Sequence, residues 1–323
     1  MGKDDLRKNI ISQKLKNKEN ELEDLIYIDS IEEQAKWGKN NEDKITSATD
    51  YAIMNHVIAM DYCKNKLGKS STWTWLDSSE NEQKAYALNL NGECHETYAV
   101  QNHGGICPVL YYRLPKNDKE KRELNIKNVK DQYGNSLYYT LDIGEYPKDK
   151  VNSELEEKLE KLYNNGELKN EINSTGRWYS GNGQEEVNKS YAGKHSPEFI
   201  YNNEKYVRVI SNPCNENEKY SDGTKTGKVG SIKWVKVKPI SFIIKNWEDL
   251  PQNINPNGTG KTTYFDLKSE EAIIGNTTLY SENGNIGWKS SVVRKFLNGT
   301  DTKDIAKCNF LNEAFNRKKR TNI

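Results

Sequence analysis

Apolar residues Leu6, Ile10, Leu15, Leu22, Leu25 and Ile26 form a broken stripe among Lys and Glu, which predicts a helix over residues 4 to 30. The stripe is too irregular for a heptad seam, so it describes an arm that docks on the body of the protein or pairs with another chain. A second helix is predicted to open near Asp50, capped by Ser47 or Thr49, with Ile53, Met54 and Val57 on its buried face and Gly68 as its stop. Trp73 and Trp75 are one residue apart and share a face if they lie on a strand. From Lys84 to Leu90 the chain alternates, with Ala85, Ala87 and Asn89 on one side and Tyr86, Leu88 and Leu90 on the other. Asn91-Gly92 is a tight-turn signal, and Cys107 to Leu114 reads as a buried strand.

Further along, residues 116 to 135 are charged and read as a linker, and Ser136 to Ile143 as a strand. Ser153 and Glu156 make a capping box for a short helix, with Leu155, Leu159 and Leu162 on one face and Gly166 at its end. Residues 167 to 197 read as an irregular loop, and Glu198 to Ile210 as a hairpin around Asn202-Asn203. In Ser231 to Ile244, Trp234, Lys236 and Lys238 alternate with Val235 and Val237, which predicts a half-exposed strand with a break at Pro239. Short helices are predicted after Trp288, ending at Gly299, and over Asn309 to Phe315.

Composition narrows the class. Of 323 residues, 34% are hydrophobic and 29% charged, and Asn makes up roughly one residue in eight, against an ordinary usage nearer one in twenty. Nineteen Tyr and seven Trp supply core area that the sparse aliphatics do not. A net charge of +1 gives no global field for nucleic acid, and the basic run Arg317 to Arg320 is local. The N-terminus shows no signal-peptide core and no stretch has the length of a membrane span. Together with five irregularly spaced cysteines, this predicts a cytoplasmic protein with reduced thiols.

Three patterns carry candidate chemistry. Gly258-Thr-Gly-Lys-Thr262 matches the end of a phosphate-binding loop, but Asn255 stands where its first glycine belongs and Tyr264-Phe-Asp-Leu, which favours a strand, follows. Cys94-His95 and His103 with Cys107 could hold zinc, although their spacing is not that of a ribbon or finger. Cys94 or Cys107 with His56, His95 or His103 could form a nucleophile pair, which only spatial arrangement can decide.

Thr46-Ser-Ala-Thr-Asp-Tyr51, Trp73-Thr-Trp75-Leu-Asp, Ala85 to Gly92 and Gly104-Gly-Ile-Cys-Pro-Val-Leu-Tyr-Tyr112 resemble the second half of a C-type-lectin-like module. The match is to an uncharacterised bacterial domain family distantly related to the formylglycine-generating, sulfatase-modifying enzymes. Ile143-Gly-Glu-Tyr-Pro-Lys148, Trp234 to Ile240 and Trp288 to Gly299 resemble the first half of the same module. The halves therefore look circularly swapped. The resemblance implies an α+β protein with a C-type-lectin-like mixed core. Its parts would be an N-terminal helical arm (1–44), a segment like the C-terminal half (45–115), the linker (116–135), and a segment like the N-terminal half (136–323) with a β-rich insertion at about 167–250. It also implies non-catalytic recognition of a protein partner, plausible for a phage- or host-encoded accessory factor, through Trp73, Asp77, Tyr86, Asn89, Glu93, His95, Tyr98, Asn102 and His103. The close cysteine pair of the formylglycine-forming relatives and the Glu-Pro-Asn motif of calcium-dependent lectins are both absent, so no catalytic residue, cofactor or metal is implied. An enzyme of the sulfatase-modifying superfamily and a nucleotide-binding protein are the alternatives.

Overall fold

The computed structural model describes residues 6–11, 13–17, 20–38, 40–81, 84–94, 96–99, 104–170, 178–179, 196–277, 288, 291–298 and 310–315. In chain order the first half carries β1 (Ile10–Ile11), β2 (Gln13–Asn17), β3 (Asn20–Asp24), α1 (Ile31–Lys36), β4 (Ser47–Ala48), α2 (Asp50–Met54), β5 (Met60–Lys64), β6 (Ser70–Ser71), β7 (Thr74–Asn81), β8 (Lys84–Leu88), β9 (Glu96–Ala99), β10 (Gly104–Ile106), β11 (Val109–Arg113), α3 (Asp118–Arg122) and β12 (Ile126–Lys130). There follow β13 (Ser136–Lys150), α4 (Ser153–Asn164), β14 (Lys169–Asn170), β15 (Trp178–Tyr179), β16 (Ser196–Tyr201), β17 (Glu204–Ile210), β18 (Ile232–Ile244), β19 (Tyr264–Ser269), β20 (Glu271–Ala272), β21 (Ile274–Thr277), α5 (Val292–Asn298) and α6 (Phe310–Phe315). The protein is mixed α+β and strand-rich, built on a curled antiparallel half-barrel sheet.

Two long strands organise that sheet. β18 carries β13 along one side; on the other it pairs with β17 beside its first half and with β19 beside its end. The predicted break at Pro239 does not occur. Pro239 sits inside β18 opposite Glu145, and β13 bulges on both sides of that point, between Ile143 and Glu145 and between Pro147 and Asp149. A proline without an N–H is tolerated where the partner's ladder is already interrupted. Gly144 forms the first bulge at φ +67, and a Cβ there would lie 2.9 Å from the Ala314 carbonyl, so the bulge also lets α6 press onto the sheet.

The predicted N-terminal helical arm is not formed. A 3-10 turn at Leu6–Asn9 leads into β1, which pairs with β11, and β2 and β3 form an antiparallel ladder. The sequence Lys14-Leu15-Lys16 and Glu21-Leu22-Glu23 also alternates with period two. The register sets Lys14 opposite Glu23 and Lys16 opposite Glu21.

Thr49 does cap the second helix, accepting from the Ala52 amide at 3.1 Å. That helix ends at Met54, far short of Gly68. Asn55 Nδ2 donates to the Tyr51 carbonyl, His56 turns to φ 69, and the Met54 carbonyl accepts from Asn212 N across the fold. Where the charge run predicts a linker, the chain instead forms α3 and β12, and β12 pairs with β13. The helix over Ser153–Asn164 forms one residue earlier than its box predicts, with Asn152 as cap in place of Ser153. Asn202 and Asn203, both at positive φ, make the expected turn between β16 and β17.

One large core joins the two regions of the chain. Ile106, Val109, Leu110 and Tyr112 pack in the same cluster as Val235, Val237, Ile240, Trp288, Val293 and Leu297. The sheets say the same, since β11 pairs with β19 and β10 with β21. Trp234 belongs to a second cluster, under α4, with Phe199, Tyr206, Val151 and Leu159. It is fully buried, not half-exposed, because α4 covers the face of the sheet that Lys-rich alternation marks as polar. Among the described residues no helix is long and apolar enough to cross a membrane.

Candidate functional site

The region carrying the predicted recognition residues is a five-stranded sheet in the order β21-β10-β7-β8-β9. Its two faces differ. On one, Trp73 meets Trp75 edge-on at 5.0 Å and stacks on Tyr98 at 4.7 Å and 16°. Ala85 and Ala87, the small residues of β8, leave room for these rings and are fully buried. Gly104 is needed here, since a Cβ would lie 2.4 Å from the Trp73 ring. On the other face Tyr86 packs half-buried with Leu76, Leu88, Cys94 and Ile31. Trp73 and Tyr98 therefore sit together, and Tyr86 lies behind them.

Asn89 and Glu93 hold the end of the β8–β9 hairpin. Asn89 Oδ1 accepts from the amides of Asn91 and Glu93, each at 2.9 Å, and its Nδ2 donates to Glu93 Oε2 at 2.9 Å. This is side-chain mimicry of a turn, so Asn89 is buried in holding the loop while Glu93 stays exposed. Gly92 makes the tight turn at φ +78, against the Asn41 backbone. Asp77 belongs elsewhere. β7 bulges between Trp75 and Ser79, and the Asp77 amide donates to the Asp29 carbonyl at 2.8 Å. Burial, then Glu33 and Asp24, push its carboxyl up to about 7. His95, Asn102 and His103 lie outside the described residues.

The Gly258–Thr262 loop is not built for phosphate. Its amides are occupied: Gly258 donates to Asn255 O, Thr259 to Glu248 O, Gly260 to Leu250 O and Thr262 to Asp249 O, at 2.8–3.1 Å. Strand β19 follows, so no helix N-terminus faces the loop. Lys261 is exposed, 3.7 Å from Asp249. Titration of the protein with ATP or GTP is expected to show no tight site, and Lys261→Ala to leave the isotherm unchanged. A micromolar site lost in Lys261→Ala would overturn this assignment.

Three thiols are held in their neutral form. Burial pushes Cys107 up to about 11 and Cys214 up to about 12, and it raises Cys94 as well. A nucleophilic cysteine needs the opposite shift. Cys214 donates to the His56 carbonyl at 3.0 Å rather than to the ring. Among the described residues no group of three or more His, Cys, Asp or Glu is placed to hold a metal.

The densest polar cluster is one the sequence does not announce. Segment 27–37, with α1, lies across the outer face of β11, β19 and β18 and traps Asp29 against Lys245 (2.8 Å) and Lys268 (3.6 Å). Gln34 Nε2 donates to Asp29 at 2.6 Å, Asp266 lies 3.2 Å from Lys245, and Lys268 sits over the Trp37 ring. The available signal was a charge at the end of each of two apolar runs, Asp29 after Ile26-Tyr-Ile28 and Lys245 after Phe242-Ile-Ile244; Lys268 lies in the mixed run Tyr264-Phe-Asp-Leu-Lys268 and carried no such signal. Each ion is paired, which gives the cluster a structural role.

No protein-family model, curated protein or solved structure matches this chain.

Proposed function

We propose that the chain is a non-catalytic recognition module that binds a protein partner through the β8–β9 side of its five-stranded sheet. The observation that carries this is the aromatic platform. Trp73 is wedged between Trp75 and Gly104, and it supports a half-exposed Tyr98 at 4.7 Å. Next to it, the hairpin end presents Glu93 on a loop tied by Asn89. Rigid Tyr and Trp side chains lose little freedom on binding and are frequent anchors at interfaces. The lectin-like relationship, with its swapped halves, is supported by the shared core of the two regions. It is part of the same proposal. The sulfatase-modifying alternative is disfavoured by the raised thiols of Cys94 and Cys107.

A pull-down from native lysate is expected to recover one defined partner with the wild-type chain. Tyr98→Ser and Glu93→Lys should each weaken recovery several-fold; the thermal melt should stay close to wild type for Glu93→Lys and fall modestly for Tyr98→Ser, which loses the stack on Trp73. Equal recovery by all three proteins would rule out this face.

A further inference from the structure

The strand β13 lies between two surface features. At its start, β12 from Asn128 and residues 136–139 of β13 pair with each other beyond the point where β18 begins to pair, at Thr140. Tyr139 stacks on Trp247 and Tyr138 donates to Glu270, which anchors the base of this finger and leaves its tip to project. The tip is rigid. Asp131 Oδ1 accepts from the amides of Tyr133 and Asn135, each at 2.8 Å, Asp131 Oδ2 accepts from Asn135 Nδ2, and the Gly134 amide donates to the Asp131 carbonyl. This turn holds Tyr133 80% exposed, the most exposed large hydrophobic side chain among the described residues. Lys130, one residue before the turn, is exposed and has no ion-pair partner among the described residues.

Past the other end of β13, a groove of about 500 Å³ runs along one flank of α4 above Ile232. Ile210, the strand neighbour of Ile232, is 38% exposed beside it. Glu156 and Glu160 on the groove wall are already engaged, by Lys233 and by Arg208 and Trp234. Glu157 is exposed and has no partner among the described residues, while Asn164 on the same wall bonds Glu160 and Lys161 lies one turn beyond Glu157.

We propose that the Tyr133 finger of one copy docks in the α4 groove of a second copy. The ring would lie over Ile232 and Ile210, and Lys130 would meet Glu157. The groove is large enough for a tyrosine side chain, and each side brings the charge the other leaves unpaired. The contact is between molecules, because the fifteen residues of β13 hold the two features roughly 45 Å apart. Finger and groove are different surfaces, so one contact leaves a free finger on one copy and a free groove on the other; two copies that exchange fingers close as a dimer, and otherwise the contact propagates. A single aromatic anchor with one ion pair gives a weak, concentration-dependent assembly.

The test is sedimentation velocity of the full chain from about 5 to about 200 µM, the range in which a micromolar contact populates. The wild type is expected to grow in mass with concentration, to the dimer or beyond it. Tyr133→Ala and Glu157→Lys should each stay monomeric with unchanged thermal melts, and Lys130→Glu combined with Glu157→Lys should restore growth. Mixing Tyr133→Ala, which keeps its groove, with Glu157→Lys, which keeps its finger, should give a dimer and nothing larger. A wild type that stays monomeric throughout, a Tyr133→Ala protein that assembles normally, or a mixture that stays monomeric or grows past the dimer would each overturn the proposal. None of these substitutions touches the β8–β9 platform, so the two proposals fail independently.

Discussion

Asp29→Ala is expected to lower the unfolding free energy by about 3–5 kcal/mol, the range for removing one partner of a buried ion pair. Asp29 is 3% exposed, and its removal strands Lys245 and Lys268, two cations that are themselves 9% and 4% exposed in their side chains. It also leaves Gln34 Nε2 without its acceptor. Urea denaturation should report the loss as a lower midpoint at unchanged slope. Combining Asp29→Ala with Lys245→Met should recover part of it, since the second change removes one stranded charge. A double variant no more stable than Asp29→Ala would show that the cost lies in lost packing. Burial alone would raise the Asp29 carboxyl, but Lys245 and Lys268 outweigh it and hold the carboxyl below the usual range. Its contribution is therefore present above the unfolded value near pH 4 and is lost as pH falls below that.

Between pH 5 and pH 8 the opposite trend is expected: the protein should be more stable at pH 5, by on the order of 3 kcal/mol, equivalent to about 4–5 °C in Tm. Three carboxyls are responsible. Burial, then Glu33 and Asp24, raise Asp77 to about 7; burial raises Glu218 to about 7; and burial, with the nearby Asp29 charge, raises Asp266 to about 6 against the pull of Lys245. With folded values above unfolded ones, the native state binds more protons between roughly pH 4 and pH 7, so stability falls as pH rises through that window. The magnitude is set well below the sum of three full shifts because these groups are only partly enclosed. Differential scanning calorimetry across the range is the measurement. Asp77→Asn and Glu218→Gln should each flatten the profile, and a wild-type Tm that rises toward pH 8 would contradict the assignment. Below about pH 4 the trend reverses, because Glu271, buried and held down to about 2 by Lys148 and Lys69, then loses its charge along with Asp29.

The candidate site was half legible in the sequence. Trp73 and Trp75 on one face, and Asn91-Gly92 as a hairpin turn, follow from spacing and turn chemistry, and both are found. The separation of Trp73 from Tyr86 was not legible. Alternation shows that Ala85 and Tyr86 face opposite ways, but which of the two faces receives Trp73 depends on the β7–β8 register, with Trp75 opposite Ala87. Asp77 left the group through a bulge, which no local pattern marks. The phosphate-loop resemblance failed for a similar reason. Gly258 lies where a Cβ would come 1.9 Å from the Leu250 carbonyl, so the glycine serves close packing of the loop on itself.

Local sequence sufficed for the features whose causes lie within a few residues. These are the Thr49 cap, the helix over Ser153–Asn164, the Asn202-Asn203 turn, and the presence of strands at Lys84–Leu88 and Ile232–Ile244. The remaining features came from contacts distant in the chain. β1, β2 and β3 are strands where their apolar spacing fits a helix, and β11 offers the edge that Ile10 and Ile11 take. β18 runs on through Pro239, because β13 bulges opposite. Asp29 is a buried counter-ion for Lys245, 216 residues away in sequence. Local propensity differs between helix and strand by only tenths of a kcal/mol per residue, whereas burying an ion or pairing an edge is worth several times that. These stronger interactions join residues that only the folded chain brings together, so no local pattern records them.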